Sequence, residues 1–164
     1  MLAYGAKVVA TGPSGERTIG IQEFFVDAFT TTLRPDEILT EIRIPRAVPR
    51  SGGAYLKLER KVGDYATAAV AVQLALDGSG KVASAGIGLT NVGLTAIFAK
   101  AACDSLAGKK LDDGAVREAA NLAAEAAEPI EDWRGSEEYK RHLVKTLTSR
   151  ALKKASERAE GGAA

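Results

Sequence analysis

The sequence predicts an α+β fold, an antiparallel sheet covered by helices, on three observations. Apolar residues alternate with period two through several short runs before Thr90, glycine- and proline-rich turn clusters separate those runs, and alanine-rich helical periodicity takes over from Thr95 onward. Strands first and helices last imply one sheet layer packed against one helical layer.

The first 30 residues read as a hairpin followed by a short helix or turn. Val8, Val9 and Ala10 lead into the turn cluster Gly12-Pro13-Ser14-Gly15, and Arg17 to Ile21 resumes the alternation with Ile19 and Ile21 on one face. Gln22 to Phe29 carries Phe24, Phe25 and Phe29, which are expected to anchor this piece to a core. Thr30 to Asp36 is a linker; after it, Ile38, Thr40, Ile42 and Ile44 share one strand face until Pro45 stops the strand. Pro45 to Gly53 concentrates proline, arginine and glycine, the composition of a boundary between two structural units.

Beyond that boundary, Leu56 and Leu58 alternate with Lys57 and Glu59, a half-buried strand interrupted at Val62 to Tyr65. Thr67 to Leu76 places Val70, Val72, Leu74 and Leu76 on one face, turns at Asp77-Gly78-Ser79-Gly80 and returns through Val82 to Thr90, a second hairpin. Three helices follow: Thr95 to Ala107 closed by Gly108, Asp113 to Glu128 closed by Pro129, and Ser136 to about Arg158. Ser136 is the expected N-cap of the last one, with Glu137 and Glu138 in the first turn where the helix dipole favours anions. Tyr139, Leu143, Leu147 and Ala151 are its expected buried stripe, and the tail Glu160 to Ala164 is expected to fray.

Composition narrows function. With 164 residues, 46% hydrophobic and 26% charged, the chain suits one or two small units with an apolar core. A formal net charge of +1 gives no summed field for nucleic acid or an anionic membrane, and neither is expected as a partner. The start lacks a signal-peptide pattern and no apolar run is long enough to span a bilayer, so a cytoplasmic location is expected. One cysteine, Cys103, and one histidine, His142, leave too few soft ligands for a metal centre in this chain. Cys103 reads as an apolar filler, His142 as a surface or half-buried helix residue, and Trp133 as a local packing anchor.

Three segments carry a resemblance. Thr31-Thr32-Leu33-Arg34-Pro35-Asp36-Glu37-Ile38-Leu39-Thr40-Glu41-Ile42-Arg43-Ile44-Pro45 is similar to the stretch linking FAD-binding and C-terminal domains in one flavoprotein family. Ala54-Tyr55-Leu56-Lys57-Leu58-Glu59-Arg60-Lys61-Val62-Gly63-Asp64-Tyr65-Ala66 is similar to that family's flavin-proximal strand and loop. Pro129-Ile130-Glu131-Asp132-Trp133-Arg134-Gly135-Ser136, continuing to Leu143, is close to its Asp-x-Arg-Gly-Ser-x-x-Tyr-Arg signature. The family is that of the FAD-binding (medium) subunits of the carbon monoxide dehydrogenase and xanthine dehydrogenase type of molybdenum hydroxylase, and the chain resembles its C-terminal part.

The resemblance implies residues 1–45 as a remnant of the second lobe of the FAD-binding domain and 46–160 as the C-terminal domain. The family's two glycine-rich loops, whose N–H groups cradle the FAD pyrophosphate, have no counterpart in this sequence, and Gly12-Pro13-Ser14-Gly15 reads as a hairpin turn. The implied function is electron relay from iron–sulfur clusters to FAD and an external acceptor, in an oxidoreductase whose substrate is oxidised elsewhere. The implied partners are a molybdenum-containing large subunit, an iron–sulfur small subunit and an N-terminal FAD-binding half. The alternative is a non-catalytic assembly module that binds no FAD alone, and an exposed sheet edge in the isolated chain predicts a homo-oligomer.

Four residues are the cofactor-binding candidates that the resemblance implies. Tyr65 would cover one face of the isoalloxazine, Asp64 would lie near its reactive edge, Lys57 would bind the flavin portion, and Leu39 would pack on the ring system. Without the resemblance, Tyr65 and Leu39 read as packing residues and Lys57 as part of a solvated strand face. Arg134-Gly135-Ser136 reads as a turn and helix cap, with a subunit contact as the functional alternative. The departure Asn91-Val92-Gly93-Leu94-Thr95-Ala96-Ile97-Phe98 from the family pattern leaves the backbone at the first helix start open.

Overall fold

The computed structural model describes residues 1–161. A single 3-10 turn, Leu2–Tyr4, precedes strand β1 (Lys7–Gly12), which reverses into β2 (Gly15–Gly20) as the turn cluster predicts. Gly15 supplies the left-handed residue, φ 104°, that this tight reversal needs. Helix α1 (Ile21–Phe24) leads into a two-stranded ribbon, β3 (Phe25–Asp27) with β4 (Thr30–Thr31). Of the three phenylalanines expected to anchor this piece, only Phe24 is buried. The chain reverses at Phe29, which has φ 61°, and leaves both Phe25 and Phe29 exposed.

Strand β5 (Ile38–Arg43) pairs with the free side of β1, giving the order β2-β1-β5. Its simple alternation is broken. Val9 pairs with Glu41 but Ala10 pairs with Leu39, so Thr40 is an extra residue, a bulge. Leu39 and Ile42 consequently lie opposite Ala10 and Val8 on one face, while Ile38 lies opposite Thr11 on the other. The expected common face of Ile38, Thr40, Ile42 and Ile44 does not form. The linker before β5 is tied to β2 by Arg17, whose guanidinium makes a two-point contact with Glu37 (2.7 and 2.8 Å) and reaches the Thr32 carbonyl (2.6 Å).

The second sheet is antiparallel and four-stranded: β6 (Ser51–Leu58), β7 (Ala68–Leu76), β8 (Val82–Thr90) and β9 (Ile97–Phe98). The first helix expected, from Thr95, starts later. Ile97 and Phe98 pair with Leu89 and Gly88, using backbone groups at the edge of β8, and α2 (Lys100–Leu106) begins beyond them. Helix α3 (Asp113–Ala126) is capped by Asp112, which accepts the Ala115 N–H at 2.8 Å. Helix α4 (Glu137–Gly161) is capped by Ser136, whose hydroxyl accepts the Tyr139 N–H at 3.2 Å, as the sequence predicts.

Helices α2 and α4 pack on the sheet, and α3 bridges them. The main core joins Val70, Val72, Leu74, Leu76, Ile87 and Leu89 of the sheet to Leu106, Val116, Val144 and Leu152 of the helices. The buried face of α4 differs from the expected stripe. Tyr139 is exposed and Leu143 half-buried, whereas Lys140, Val144, Leu147, Thr148, Ala151, Leu152, Ala155 and Ala159 are buried. Small residues set that seam: a Cβ on Gly52 of β6 would meet the Ala155 carbonyl oxygen and lie 2.6 Å from the Ala159 nitrogen. Glu160 and Gly161 belong to the helix; the fraying expected of residues 162–164 lies outside the described residues.

A smaller core of Leu2, Ala6, Val8, Ala10, Ile19, Ile21 and Phe24 lies under the three-stranded sheet, and Phe98 packs against both cores. The N-terminal turn also rests on the large sheet, where a Cβ on Gly86 would run into the Ala3 carbonyl oxygen. Cys103 is buried in the main core, and burial pushes its thiol up to about 11. His142 is exposed on α4. Among the described residues no helix is long and apolar enough to cross a membrane.

Candidate functional site

Strand β6 ends at Leu58, and the chain returns to β7 through an irregular loop closed by the Thr67 N–H donating to the Leu58 carbonyl at 2.7 Å. Gly63, φ 86°, makes the sharp turn that presents Asp64 and Tyr65. Tyr65 is 78% exposed. Its backbone is nevertheless fixed from two sides, because Arg134 donates to the Tyr65 carbonyl and the Asn91 amide donates to the Ala66 carbonyl at 2.5 Å. Asn91 itself adopts φ 64°, a conformation that asparagine tolerates better than most residues.

Asp64 is the polar hub of the loop. Its carboxylate accepts the Tyr65 N–H at 2.8 Å and faces Arg60 and Arg134, each at 3.3 Å. Desolvation alone would raise its pKa, but the Tyr65 N–H and the two guanidinium groups outweigh that and hold it below the ordinary aspartate value. Lys57 lies alongside, 3.5 Å from the Asp64 carbonyl and 2.5 Å from the Glu59 carboxylate. The hydrogen bond to Glu59 leads in raising its pKa, so the ammonium stays charged.

Trp133, expected to be a packing anchor, is 67% exposed. It lies between two cations, Arg60 at 4.3 Å and Arg134 at 4.5 Å from the ring, and Arg134 also sits 5.9 Å from the Tyr65 ring. Tyr65, Asn91, Arg134 and Lys140 help to line a cleft of about 310 Å³. The fold therefore gathers Lys57, Asp64 and Tyr65. Leu39 stands elsewhere, half-buried against the smaller core on β5. Arg60, Asn91 and Arg134 are members that the sequence reading did not single out for this loop.

Two family models match successive parts of the chain. The CO dehydrogenase flavoprotein C-terminal domain matches residues 53–155, and the FAD binding domain in molybdopterin dehydrogenase matches residues 1–47. The chain belongs to the CO dehydrogenase flavoprotein family. It is 42% identical over 160 residues to the carbon monoxide dehydrogenase medium chain of Afipia carboxidovorans, an alignment covering 98% of this chain and 55% of that one. It is 33% identical to the 6-hydroxypseudooxynicotine dehydrogenase complex subunit alpha of Paenarthrobacter nicotinovorans, covering 97% and 54%. A solved structure of reconstituted CO dehydrogenase from Oligotropha carboxidovorans superposes with a TM-score of 0.91 at 42% identity, covering 96% of this chain and 55% of that one. The chain thus spans about half the length of these two curated relatives.

The arrangement fits the ring end of FAD: an open aromatic face on a fixed loop, with a lysine cation and a carboxylate beside it. The pyrophosphate end is another matter, because Gly12 to Gly15 closes the β1–β2 hairpin and leads into no helix.

Proposed function

We propose that the chain is part of the FAD-carrying subunit of a molybdenum hydroxylase and supplies the ring side of its FAD site. The observation that carries this reading is Tyr65, an exposed aromatic on a loop whose backbone is held by Arg134 at the Tyr65 carbonyl and by Asn91 at the Ala66 carbonyl. Bound FAD would supply electron relay, between iron–sulfur clusters on a small subunit and an external acceptor, for a substrate oxidised at molybdenum on a large subunit. The residues of this chain orient and tune. Tyr65 covers one ring face and excludes water from it; Asp64, held ionised, disfavours negative charge at the ring edge; Lys57 favours it at a carbonyl. Leu39 contacts the ring system from the other sheet. Relatives named for carbon monoxide and for 6-hydroxypseudooxynicotine both share this fold, which supports substrate choice on another subunit.

The same reading assigns residues 1–45 to the FAD-binding domain and 46–160 to the C-terminal domain, supported by the change of family match between residues 47 and 53. It places the assembly in the cytoplasm.

FAD titration by fluorescence tests the proposal on the chain alone and on the chain joined to an N-terminal FAD-binding half. Ring stacking contributes on the order of 1 kcal/mol beyond area burial, against the roughly 8 kcal/mol that micromolar affinity requires. The chain alone should bind weakly and the joined subunit tightly. Tyr65→Ala should weaken the joined subunit roughly fivefold, the equivalent of about 1 kcal/mol. A joined subunit indifferent to Tyr65→Ala would sink the assignment.

A further inference from the structure

The segment between α3 and α4 is a compact bracket. Asp132 and Gly135 exchange backbone hydrogen bonds (3.0 and 3.3 Å), and the Asp132 carboxylate accepts the Arg134 N–H at 2.8 Å. Lys140, only 3% exposed, reaches out of α4 to the Ile130 carbonyl (2.6 Å) and the Asp132 carboxylate (2.8 Å), which ties the bracket to the helix. Gly135 has no room for a side chain, since a Cβ there would lie 2.5 Å from the Tyr139 ring. Out of this fixed base projects Arg134. Its side chain is only 12% exposed although it stands on a surface turn, and both of its terminal nitrogens are spent on the loop of Asp64 and Tyr65.

We propose that Arg134 is the positioning residue of the flavin-ring loop, fixing the Tyr65 carbonyl and the Asp64 carboxylate with one planar fork and so fastening the loop to α4 through Asp132 and Lys140. The proposal rests on the flavin reading of Tyr65 and deepens it. A guanidinium can hold a carbonyl and a carboxylate at a set angle; an ammonium can satisfy the charge but not the angle. Both side chains of the Arg134–Asp64 pair are only 12% exposed, so loss of the guanidinium should also cost some global stability. The bracket is already fastened by Lys140, so loss of Arg134 frees the loop rather than the helix.

The test compares Arg134→Gln and Arg134→Lys in this chain, following the Asp64 carboxyl and the Tyr65 ring by NMR. Around Asp64, Arg60 remains as a cation, Lys57 touches only its carbonyl, and Glu59 is paired with Lys57. In Arg134→Gln, Asp64 should titrate at higher pH and the Tyr65 ring should lose its distinct, sharp resonances. Arg134→Lys should restore the titration without restoring the ring. Unchanged Asp64 and Tyr65 signals in Arg134→Gln would overturn the proposal, as would full restoration of both by lysine; should the glutamine variant fail to fold, the lysine variant decides alone. In the subunit joined to its FAD-binding half, Arg134→Gln should also shift the flavin reduction potential. If the loop signals respond while neither Arg134→Gln nor Tyr65→Ala moves that potential, the positioning role stands and the flavin reading falls.

Discussion

Arg17 and Glu37 show how one pair of side chains stabilises a linker without secondary structure. The Arg17 guanidinium, and after it the Arg34 N–H, lower the Glu37 pKa from 4.5 to about 2. A carboxyl lowered on folding binds fewer protons than in the unfolded chain throughout that interval, so its contribution is full above pH 4.5 and disappears as pH falls towards 2. Other carboxylates shift the same way, Asp64, Asp77, Asp113 and Asp132 among them, so the native chain alone does not isolate Glu37. Urea unfolding of the native chain and of Glu37→Gln, repeated from pH 6 to 2.5, separates it. The gap between the two midpoints should close as the pH drops below about 4.5. A gap independent of pH would assign the effect of Glu37→Gln to packing. At this scale the sequence was informative where chemistry is local, as at Ser136. It showed Arg134 only as part of a turn and helix cap, because the partners of its side chain, Asp64 and Tyr65, lie far away in the chain.

Secondary elements were legible where a run of residues decides its own conformation. The β1–β2 and β7–β8 hairpins follow from alternation and turn residues, and the start of α4 from its capping serine. What escaped depends on neighbours. The bulge at Thr40 comes from fitting β5 to β1, the strand at Ile97–Phe98 from the open edge of β8, and the buried seam of α4 from the glycine opposite it. That seam yields a prediction. Gly52→Ala would drive a methyl group into the backbone of α4 at Ala155 and Ala159, where no flexible side chain can yield. The expected cost is about 1–3 kcal/mol, read as a lower urea midpoint at unchanged m-value. Gly78→Ala, in open space on the β7–β8 turn, is the control and should cost less than about 1 kcal/mol. Equal losses at both positions would show that the close approach of β6 to α4 is not limiting.

Across the whole molecule, the two sheets differ in how they are finished. The four-stranded sheet has helices packed on one face, whereas the three-stranded sheet has β2 and β5 as open edges, with Ile38 71% exposed and Ile42, Ile44 and Val48 exposed nearby. The chain by itself should therefore self-associate, and sedimentation should find a weight-average mass that rises with concentration. Ile38→Lys should suppress the rise, because charge on an edge strand opposes pairing. A strictly monomeric chain at high micromolar concentration would count against an uncovered interface.

Trp133 gives the molecule an instrument of its own. It is the single tryptophan, it stands in solvent between the guanidinium groups of Arg60 and Arg134, and Arg134 also grips the Tyr65 loop. Any event that moves that loop, seats a ring on Tyr65 or brings another surface over the bracket changes the polarity and quenching around one indole. The intrinsic emission of the unlabelled protein is thus a local optical readout of this corner, separable from unfolding of the distant core, and it can be followed in real time during assembly.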